Sequence, residues 1–355
     1  MYDVVIAGGG PAGLAATLVL GRVHRTVLLV DAGDGRNARA DAVHNFLTRD
    51  GTPPDELREL GRRELAGYPA VRTLAGTVAA AEAVPTVPTV PTVPTVPTVP
   101  TVPTVSAASA ASAAENVEGV PGANVARGGF RVELSDGRTV GARRLLLATG
   151  LADELPGPPG VAELWGRSAF HCPYCHGFEC TGLSVAVLGA GPGRVRLALQ
   201  LSRFAAGVVL CTGGEPLAPA ARETLTAYGV AVRCEPVTRL EGADGRLEQI
   251  VFEGGPPLER AAVFVANVPR RRSALAEHLG CAAFADGCVE IDEFGRTSVP
   301  GVYAAGDMAR RRTVPMPLAA VIAAAASGTL AGGAVDQDLL GEDFSLPDPF
   351  ARREG

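Results

Sequence analysis

A glycine-rich turn connects an apolar segment to a predicted helix near the start of the printed sequence. Residues 4–7 form a continuous apolar run, which is typical of a strand buried on both faces of a parallel sheet. The turn that follows has glycine at positions 8, 10 and 13. Gly8 permits a tight turn, Gly10 lets the backbone approach a pyrophosphate, and Gly13 lets the helix pack closely against the strand. This spacing predicts a dinucleotide-binding unit.

The residues after the turn complete this unit. Pro11 and Ala12 open a helix that is predicted to reach about residue 23, and its N-terminus supplies amide donors and positive potential for phosphate groups. Residues 27–30 form the returning strand. Asp31 follows at its tip, 18 residues after Gly13, where a carboxylate can accept hydrogen bonds from ribose hydroxyls. We therefore expect a bound dinucleotide.

The same pattern restarts in the middle of the chain. Its predicted segments are a strand over 185–188, a glycine turn over 189–193, a helix over 192–206 and a strand over 208–210. A further strand over 302–305 and a small-residue helix over about 318–332 come later. We predict an α/β fold with two dinucleotide-binding (Rossmann-type) domains, the second inserted in the first. The predicted boundaries are 1–152 plus 267–355 for the discontinuous domain and 153–266 for the central domain.

The second unit departs from a nucleotide-binding one in two places. Arg194 stands at the sixth position of its glycine motif, where close helix–strand packing needs a small residue. The next strand ends in Cys211-Thr212-Gly213, which offers neither an acid for a ribose nor a base for a 2′-phosphate. These departures predict a central domain that no longer binds a pyridine nucleotide.

Residues 85–105 are seven consecutive copies of Pro-Thr-Val, within a low-complexity insert over 83–126. Proline at every third position is incompatible with a helix or a paired strand, so the repeat predicts an extended polyproline II segment. It is either a docking arm for a partner or a repeat expansion tolerated in a surface loop. In neither case do we expect catalytic residues there.

The charge balance and the first residues of the chain limit its partners and its compartment. A net charge of −6 argues against nucleic acid or an anionic membrane as a partner. Residues 1–3 lead directly into a strand, with no targeting segment ahead of it. We therefore expect a cytoplasmic protein, where thiols stay reduced. Its seven cysteines are then not a structural disulfide framework, and a close pair indicates redox or metal chemistry.

Such a pair stands in the segment Cys172-Pro173-Tyr174-Cys175-His176. This segment admits three interpretations. Attachment of c-type haem uses the same pattern but takes place outside the cytosol. A zinc site could add Cys180, but no second cysteine pair or paired histidine follows at ligand spacing. A reversible dithiol/disulfide is favoured, because a following helix N-terminus lowers a thiol pKa. His176 is placed to transfer the accompanying proton. No metal is expected.

Four segments in this order resemble the low-molecular-weight thioredoxin reductases: the first glycine turn, residues 148–150, the pair Cys172/Cys175 and residues 297–307. The resemblance covers nearly the whole chain apart from the insert and the last dozen residues. It implies an FAD cofactor, a homodimer, and a helix beginning near Leu318 that points its N-terminus at the flavin. The residues that it implies as cofactor-binding are Gly8, Gly10, Pro11, Ala12, Gly13, Asp31, Arg36, Asn37, Thr149, Gly150, Asp307 and Leu318.

His176 stands where that family has an aspartate. With the altered second unit and the segments Arg36-Asn37 and His44-Asn45, it makes the chain similar to the dithiol oxidases that close the disulfides of gliotoxin, holomycin and romidepsin. The resemblance implies that Cys172 is the exposed sulfur attacked by substrate and that Cys175 is the flavin-proximal sulfur. It also implies that His176 exchanges the protons. A surface or capping role for His44 is equally compatible with the sequence.

Three functional hypotheses follow. The first is an FAD-dependent oxidase that forms a disulfide in a small-molecule dithiol and passes the electrons to oxygen. The second is an NADPH-dependent thioredoxin reductase, which requires a competent second nucleotide site. The third, from another class, is a non-catalytic flavin-based redox sensor that uses the repeat as its partner-binding arm. We favour the first because the central domain lacks the nucleotide-binding residues.

Overall fold

Each glycine-rich turn follows a strand that pairs with parallel neighbours in its own sheet. The structure, a computed structural model, describes residues 1–84 and 128–351. The predicted polyproline segment therefore lies outside the described residues. Within these two ranges, no helix is long and apolar enough to cross a membrane.

In chain order the strands are β1 (Tyr2–Ala7), β2 (Val27–Asp31), β3 (Val71–Ala75), β4 (Val78–Val84), β5 (Gly129–Leu134), β6 (Thr139–Leu147), β7 (Leu151–Glu154), β8 (Ala169–Phe170), β9 (Ser184–Leu188), β10 (Gly207–Cys211), β11 (Ala231–Arg233), β12 (Val237–Ala243), β13 (Arg246–Phe252), β14 (Leu258–Glu259), β15 (Ala262–Phe264), β16 (Val268–Arg271), β17 (Val289–Ile291), β18 (Val302–Ala304) and β19 (Ala309–Arg311). The helices are α1 (Pro11–Arg22), α2 (Pro54–Leu65), α3 (Val161–Leu164), α4 (Pro173–His176), α5 (Pro192–Leu201), α6 (Pro219–Ala227), α7 (Leu275–His278) and α8 (Val321–Phe344). Short 3₁₀ turns span Phe178–Cys180 and Gly306–Met308.

The first sheet has the strand order β3-β2-β1-β6-β5-β4, and β18 pairs with β6. β1, β2, β3, β6 and β18 are parallel, whereas β4, β5 and β6 form an antiparallel meander. Val4, Val5 and Ile6 are at most 1% exposed, because the middle strand of a parallel sheet is covered on both faces. This sheet therefore carries the first glycine turn on a buried inner strand.

The second sheet, β11-β10-β9-β15-β8, is also parallel and carries the second glycine turn after β9. An antiparallel ribbon of β7 and β16 lies between the two sheets in the chain, with Leu151 opposite Arg271 and Glu154 opposite Val268. The predicted domain boundaries fall within β7 and just before β16. The fold class predicted from the sequence, with two Rossmann-type units, is confirmed.

The last helix begins later than the sequence predicts. The sequence predicts a start near Leu318, but Ala320 has extended backbone angles (φ −136°, ψ 144°) and α8 begins at Val321. Leu318 lies in the preceding loop, 59% exposed, and not at the helix start. Its contact with the cofactor stays a prediction.

Ion pairs explain why α8 also continues twelve residues beyond the predicted end, from residue 332 to residue 344. Arg25 pairs with Asp336 at 2.7 Å and with Asp343 at 2.8 Å. Arg144 pairs with Asp338 at 2.6 Å. These arginines come from the loop before β2 and from β6, far from α8 in the sequence. The spacing of small and apolar residues in the sequence therefore does not show where the C-terminal end of α8 lies.

Close packing of α1 against α8 predicts a difference between two glycines of the same helix. A Cβ atom at Gly328 would overlap the backbone oxygen of Ala12 in α1, whereas a Cβ atom at Gly333 would meet nothing within 4 Å. We expect Gly328→Ala to destabilise the protein by about 1–3 kcal/mol, as overpacking does. Gly333→Ala should be neutral or stabilising by about 0.5–1 kcal/mol, through helix propensity. Denaturant unfolding of both variants checks this, and equal effects would contradict the packing argument.

Candidate active site

The first glycine turn leaves an open face above the start of α1. Gly8 has a φ of +109°, and a Cβ atom at Gly13 would overlap the carbonyl oxygen of Gly8. At Gly10, by contrast, a Cβ atom would meet nothing within 4 Å. No side chain caps the N-terminus of α1, so its first amide groups have no intrahelical partner. The turn can therefore receive a phosphate group against its backbone.

Asp31 lies directly beside this turn. Its Oδ1 accepts a hydrogen bond from the Gly9 amide at 3.1 Å, and its Oδ2 is 3.7 Å from Arg62 Nη1. A Cβ atom at Gly9 would overlap the Asp31 side chain. The sequence motif does not single out Gly9, which is needed here because the carboxylate occupies the space of its missing side chain.

Arg36 connects two carboxylates from distant parts of the chain. Its Nε and Nη2 donate to both oxygens of Asp153, at 2.9 and 2.6 Å, and its Nη1 donates to Asp307 Oδ2 at 2.9 Å. Asn267 Nδ2 also donates to Asp153 at 2.6 Å. Burial raises the pKa of Asp307, although Arg36 opposes that shift. Asp153 and Asn267 were missed by the sequence analysis, which had no signal for them beyond their place at the predicted domain boundaries.

Contacts or backbone angles are known for three further predicted cofactor residues, Asn37, Thr149 and Gly150. Asn37 Oδ1 accepts from Arg58 Nη1 at 3.4 Å, and Arg58 itself is only 6% exposed. The Thr149 hydroxyl donates to Met308 Sδ at 3.2 Å, and Gly150 has a φ of +68°. The structure thus connects the segment after β6 with the turn after β18, which carries Asp307.

The cysteine pair occupies the start of the short helix α4. Cys172 is its N-cap residue, and the Cys175 thiol donates to Cys172 Sγ at 2.7 Å. That hydrogen bond, assisted by the backbone amides of Cys175 and Tyr174, lowers the pKa of Cys172 despite its burial. The same hydrogen bond, together with burial, raises the pKa of Cys175. At neutral pH the pair therefore carries its negative charge on Cys172.

The cysteine pair and the predicted cofactor residues lie within electrostatic range of one another. The positive charge of Arg36 lowers the pKa of both thiols, and the carboxylate of Asp307 raises that of Cys175. Both cysteines are half-buried. Exposure alone therefore does not mark Cys172 as the accessible sulfur, and its assignment as the attacked one stays a prediction.

His176 lies against Phe170, with ring centroids 4.4 Å apart and planes inclined by 12°. Burial lowers its pKa to about 4, so the imidazole is neutral at pH 7. Both of its ring nitrogens are buried, and neither has a hydrogen-bond partner in the described part of the chain. His171, which the sequence analysis did not select, stacks on Trp165 at 5.4 Å. Burial and the charge of Arg36 lower its pKa to about 4 as well.

Arg194 packs against Gly189, the first glycine of the second turn, whereas a Cβ atom at Gly191 would meet nothing within 4 Å. Arg194 Cγ lies 3.3 Å from the position of a Cβ atom at Gly189. Burial lowers the pKa of its guanidinium, which forms no ion pair with any residue in the ranges 1–84 and 128–351. At the neighbouring strand tip, Cys211 and Thr212 are each 1% exposed. Neither side chain is therefore available to a ribose.

An arginine does lie near that strand tip, contrary to the sequence-based expectation. Arg233 pairs in register with Cys211 across β10 and β11. Its guanidinium is occupied, because it binds Glu235 at 2.8 Å and stacks on the Phe252 ring at 3.8 Å. The sequence analysis did not find Arg233 because strand pairing brings it beside Cys211, from which it is 22 residues away in the chain.

Comparison with known proteins gives one family and several full-length relatives. The family model for pyridine nucleotide-disulphide oxidoreductases matches residues 2–328. A protein named thioredoxin reductase tcpT, from Claviceps purpurea, is 31% identical over 364 residues, which cover 98% of each chain. The crystal structure of HlmI has 36% identity and a TM-score of 0.78, over 97% of this chain and 94% of that one. A structure titled putative thioredoxin reductase TrxB from Bacillus anthracis has 29% identity and a TM-score of 0.77, over 97% and 100%. The resemblance stated from the sequence is confirmed.

The hydrogen bond between the two thiols predicts how Cys172 responds to pH. Since the pKa of Cys172 lies below that of an ordinary thiol, its thiolate should persist, and react with iodoacetamide, as the pH falls below neutrality. Cys175→Ala removes the donor and should move this profile to higher pH. Cys175→Ser retains a hydroxyl donor and serves as the matched control, with a smaller shift. Peptide mass spectrometry of the reduced protein measures the profiles. Identical profiles in all three proteins would refute the role of the Cys175 donor.

Proposed function

This chain belongs to the pyridine nucleotide-disulphide oxidoreductase family, and from that premise we propose that it oxidises a small-molecule dithiol to an intramolecular disulfide. Oxygen is the terminal electron acceptor in this proposal. The chain is an FAD-dependent oxidoreductase. Its membership in an enzyme family argues against the third hypothesis, a flavin-based sensor without catalytic activity. The observation that carries the proposal is the pair Cys172/Cys175 near Arg36 and Asp307, in a chain whose second glycine motif has Arg194 in place of its last glycine and ends its next strand in the buried side chains of Cys211 and Thr212.

The first glycine turn fits the pyrophosphate of FAD. Gly10 presents open backbone, the N-terminus of α1 is uncapped, and Asp31 lies at the next strand tip. Asp307 and Arg36 offer an acceptor and a donor further along the same site. When bound, FAD supplies a two-electron acceptor that returns the cysteine pair to its disulfide.

Disulfide formation in the substrate follows from two exchange steps. A substrate thiolate attacks Cys172 Sγ of the enzyme disulfide, which forms a mixed disulfide and releases Cys175 as a thiolate. The second substrate thiolate then attacks the substrate sulfur of that mixed disulfide, which closes the product ring and releases Cys172. The lowered pKa of Cys172 favours this second step, because a thiol of low pKa is the better leaving group. Two electrons have then moved from the substrate to the cysteine pair.

His176 has the protonation state that the first step requires of a base. Its pKa of about 4 keeps the imidazole neutral at pH 7, and its two ring nitrogens are unpaired among the described residues. A neutral imidazole can accept the proton of a substrate thiol. We propose that it delivers this proton to the Cys175 thiolate once the mixed disulfide has formed.

A thioredoxin-type reductase fed by NADPH is the alternative, and the names of the relatives favour it. It would use the same cysteine pair in the opposite direction. The observations against it are Arg194 at the last position of the second glycine motif, the buried side chains of Cys211 and Thr212 at the next strand tip, and the occupied guanidinium of Arg233. We further propose a homodimer, a cytoplasmic location, an FAD domain of residues 1–152 and 267–355, and a central domain of residues 153–266.

The two hypotheses differ in which reductant reaches the flavin. Loss of one charge-assisted hydrogen bond to the nucleotide costs about 1.5–3 kcal/mol, or roughly 10- to 100-fold in affinity. We therefore expect NADPH and NADH to reduce the flavin far more slowly than a small dithiol such as dithiothreitol, with hydrogen peroxide formed on reoxidation. Anaerobic stopped-flow absorbance measures both reductions. The variant with both Cys172 and Cys175 changed to Ser is the control, and a dithiol should not reduce it. Rapid, saturable reduction by micromolar NADPH would falsify the oxidase proposal.

The sulfur assignments predict a spectroscopic difference between two single variants. Cys172→Ser removes the sulfur whose hydrogen bond raises the pKa of Cys175. Cys175 is then the remaining thiolate beside the flavin and should give a long-wavelength charge-transfer absorbance. Cys175→Ser should not. Both variants should lose dithiol turnover, whereas Cys234→Ser should retain it. A band in the Cys175→Ser variant alone would reverse the assignment.

A further inference from the structure

A loop of the first unit, residues 44–50, holds the segment that carries the redox pair. Asn45 Nδ2 donates a hydrogen bond to the backbone oxygen of Tyr174, which lies between the two cysteines in α4. His44 Nε2 is 3.3 Å from Glu179 Oε1, in the turn that follows α4. The loop therefore contacts the cysteine-bearing segment at two residues, Tyr174 and Glu179, which are five positions apart.

The loop is built to present these two side chains. Asn45 adopts the left-handed conformation, with φ at +61°, which asparagine tolerates better than most residues with a Cβ atom. Asp50 Oδ1 accepts from the Asn45 amide at 2.8 Å and lies 3.5 Å from His44 Nδ1. Such a conformation persists where surrounding contacts determine it, and it clusters at functional sites.

The cysteine-bearing segment needs support from outside itself. Helix α4 has only four residues, Pro173–His176, and a single helical turn is not stable alone. The amides of Cys175 and His176 share one acceptor, the Cys172 oxygen, at 3.3 Å each. The segment also belongs to the second unit, after β8, whereas loop 44–50 follows β2 of the first. A contact between them fixes one unit relative to the other at the redox pair.

We propose that His44 and Asn45 form an interdomain clasp that holds Cys175 against the cofactor side of the site. They are positioning residues, because they touch the backbone and the flank of the cysteine segment and not the reacting sulfurs. The proposal rests on the proposed function only in taking Cys172 and Cys175 as the redox pair. It requires nothing about the substrate or the final electron acceptor.

The test measures docking without any substrate. Asn45→Asp preserves the size of the side chain and its tolerance of positive φ, but it replaces the donor to Tyr174 with an acceptor. Asn45→Gly preserves the backbone conformation and removes the donor, in case the aspartate variant fails to fold. In the Cys172→Ser background, we expect either change to weaken the charge-transfer absorbance and to speed alkylation of Cys175 several-fold. His44→Ala should add to the effect.

Thr48→Gly is the matched control, because Thr48 is the other left-handed residue of the loop, with φ at +74°. It should leave the absorbance and the alkylation rate unchanged. The alkylation rate of Cys175 can also be measured in the wild-type background. It is independent of the charge-transfer absorbance, which only the Cys172→Ser background is expected to show. Unchanged Cys175 alkylation in both Asn45 variants would overturn the clasp, as would an equal loss in Thr48→Gly. If the Asn45 variants show the expected faster alkylation but the wild-type protein does not oxidise dithiols, the proposed function is refuted and the clasp is not.

Discussion

The bridge from Arg36 to Asp153 and Asp307 is the interaction on which the site depends most. It joins three segments: the loop after β2, the ribbon strand β7 and the turn after β18. All three side chains are less than a fifth exposed. Removing one partner from a buried charge cluster is strongly destabilising, because it leaves an uncompensated charge. The cofactor side, the connection between the units and the C-terminal segment are therefore coupled by a single guanidinium.

The two glycine turns share one backbone design and differ at its last position. In the first, Gly13 allows α1 to pack against Gly8, and the face at Gly10 is open. In the second, Arg194 stands in the place of Gly13 and packs against Gly189, while the face at Gly191 is open like that at Gly10. The second sheet is parallel throughout. What the second unit contributes to the site is the segment of Cys172 and Cys175.

Sequence patterns predicted correctly those elements whose formation depends on neighbouring residues in the chain. The strand and helix around the first turn were placed within two residues, because a buried apolar run, three glycines and a helix-opening proline each act on their own neighbours. Asp153 and His171 were missed because their environments arise from partners more than a hundred residues away in the first case and from ring stacking in the second. The predicted end of α8 was wrong because arginines of distant elements pair with the acidic residues of its last turns.

The pairing of Val84 with Gly129 has a consequence for the length of the insert. These residues are neighbours across β4 and β5, so the chain between them leaves and re-enters the sheet at one point, whatever its length. The entropy of closing a loop grows only logarithmically, by about 0.6 kcal/mol for each doubling. One copy of Pro-Thr-Val more or fewer changes the length of this connection by a small fraction of a doubling, and stability by a correspondingly small part of that amount. The same position therefore offers a tolerant place to insert a tag or a second domain.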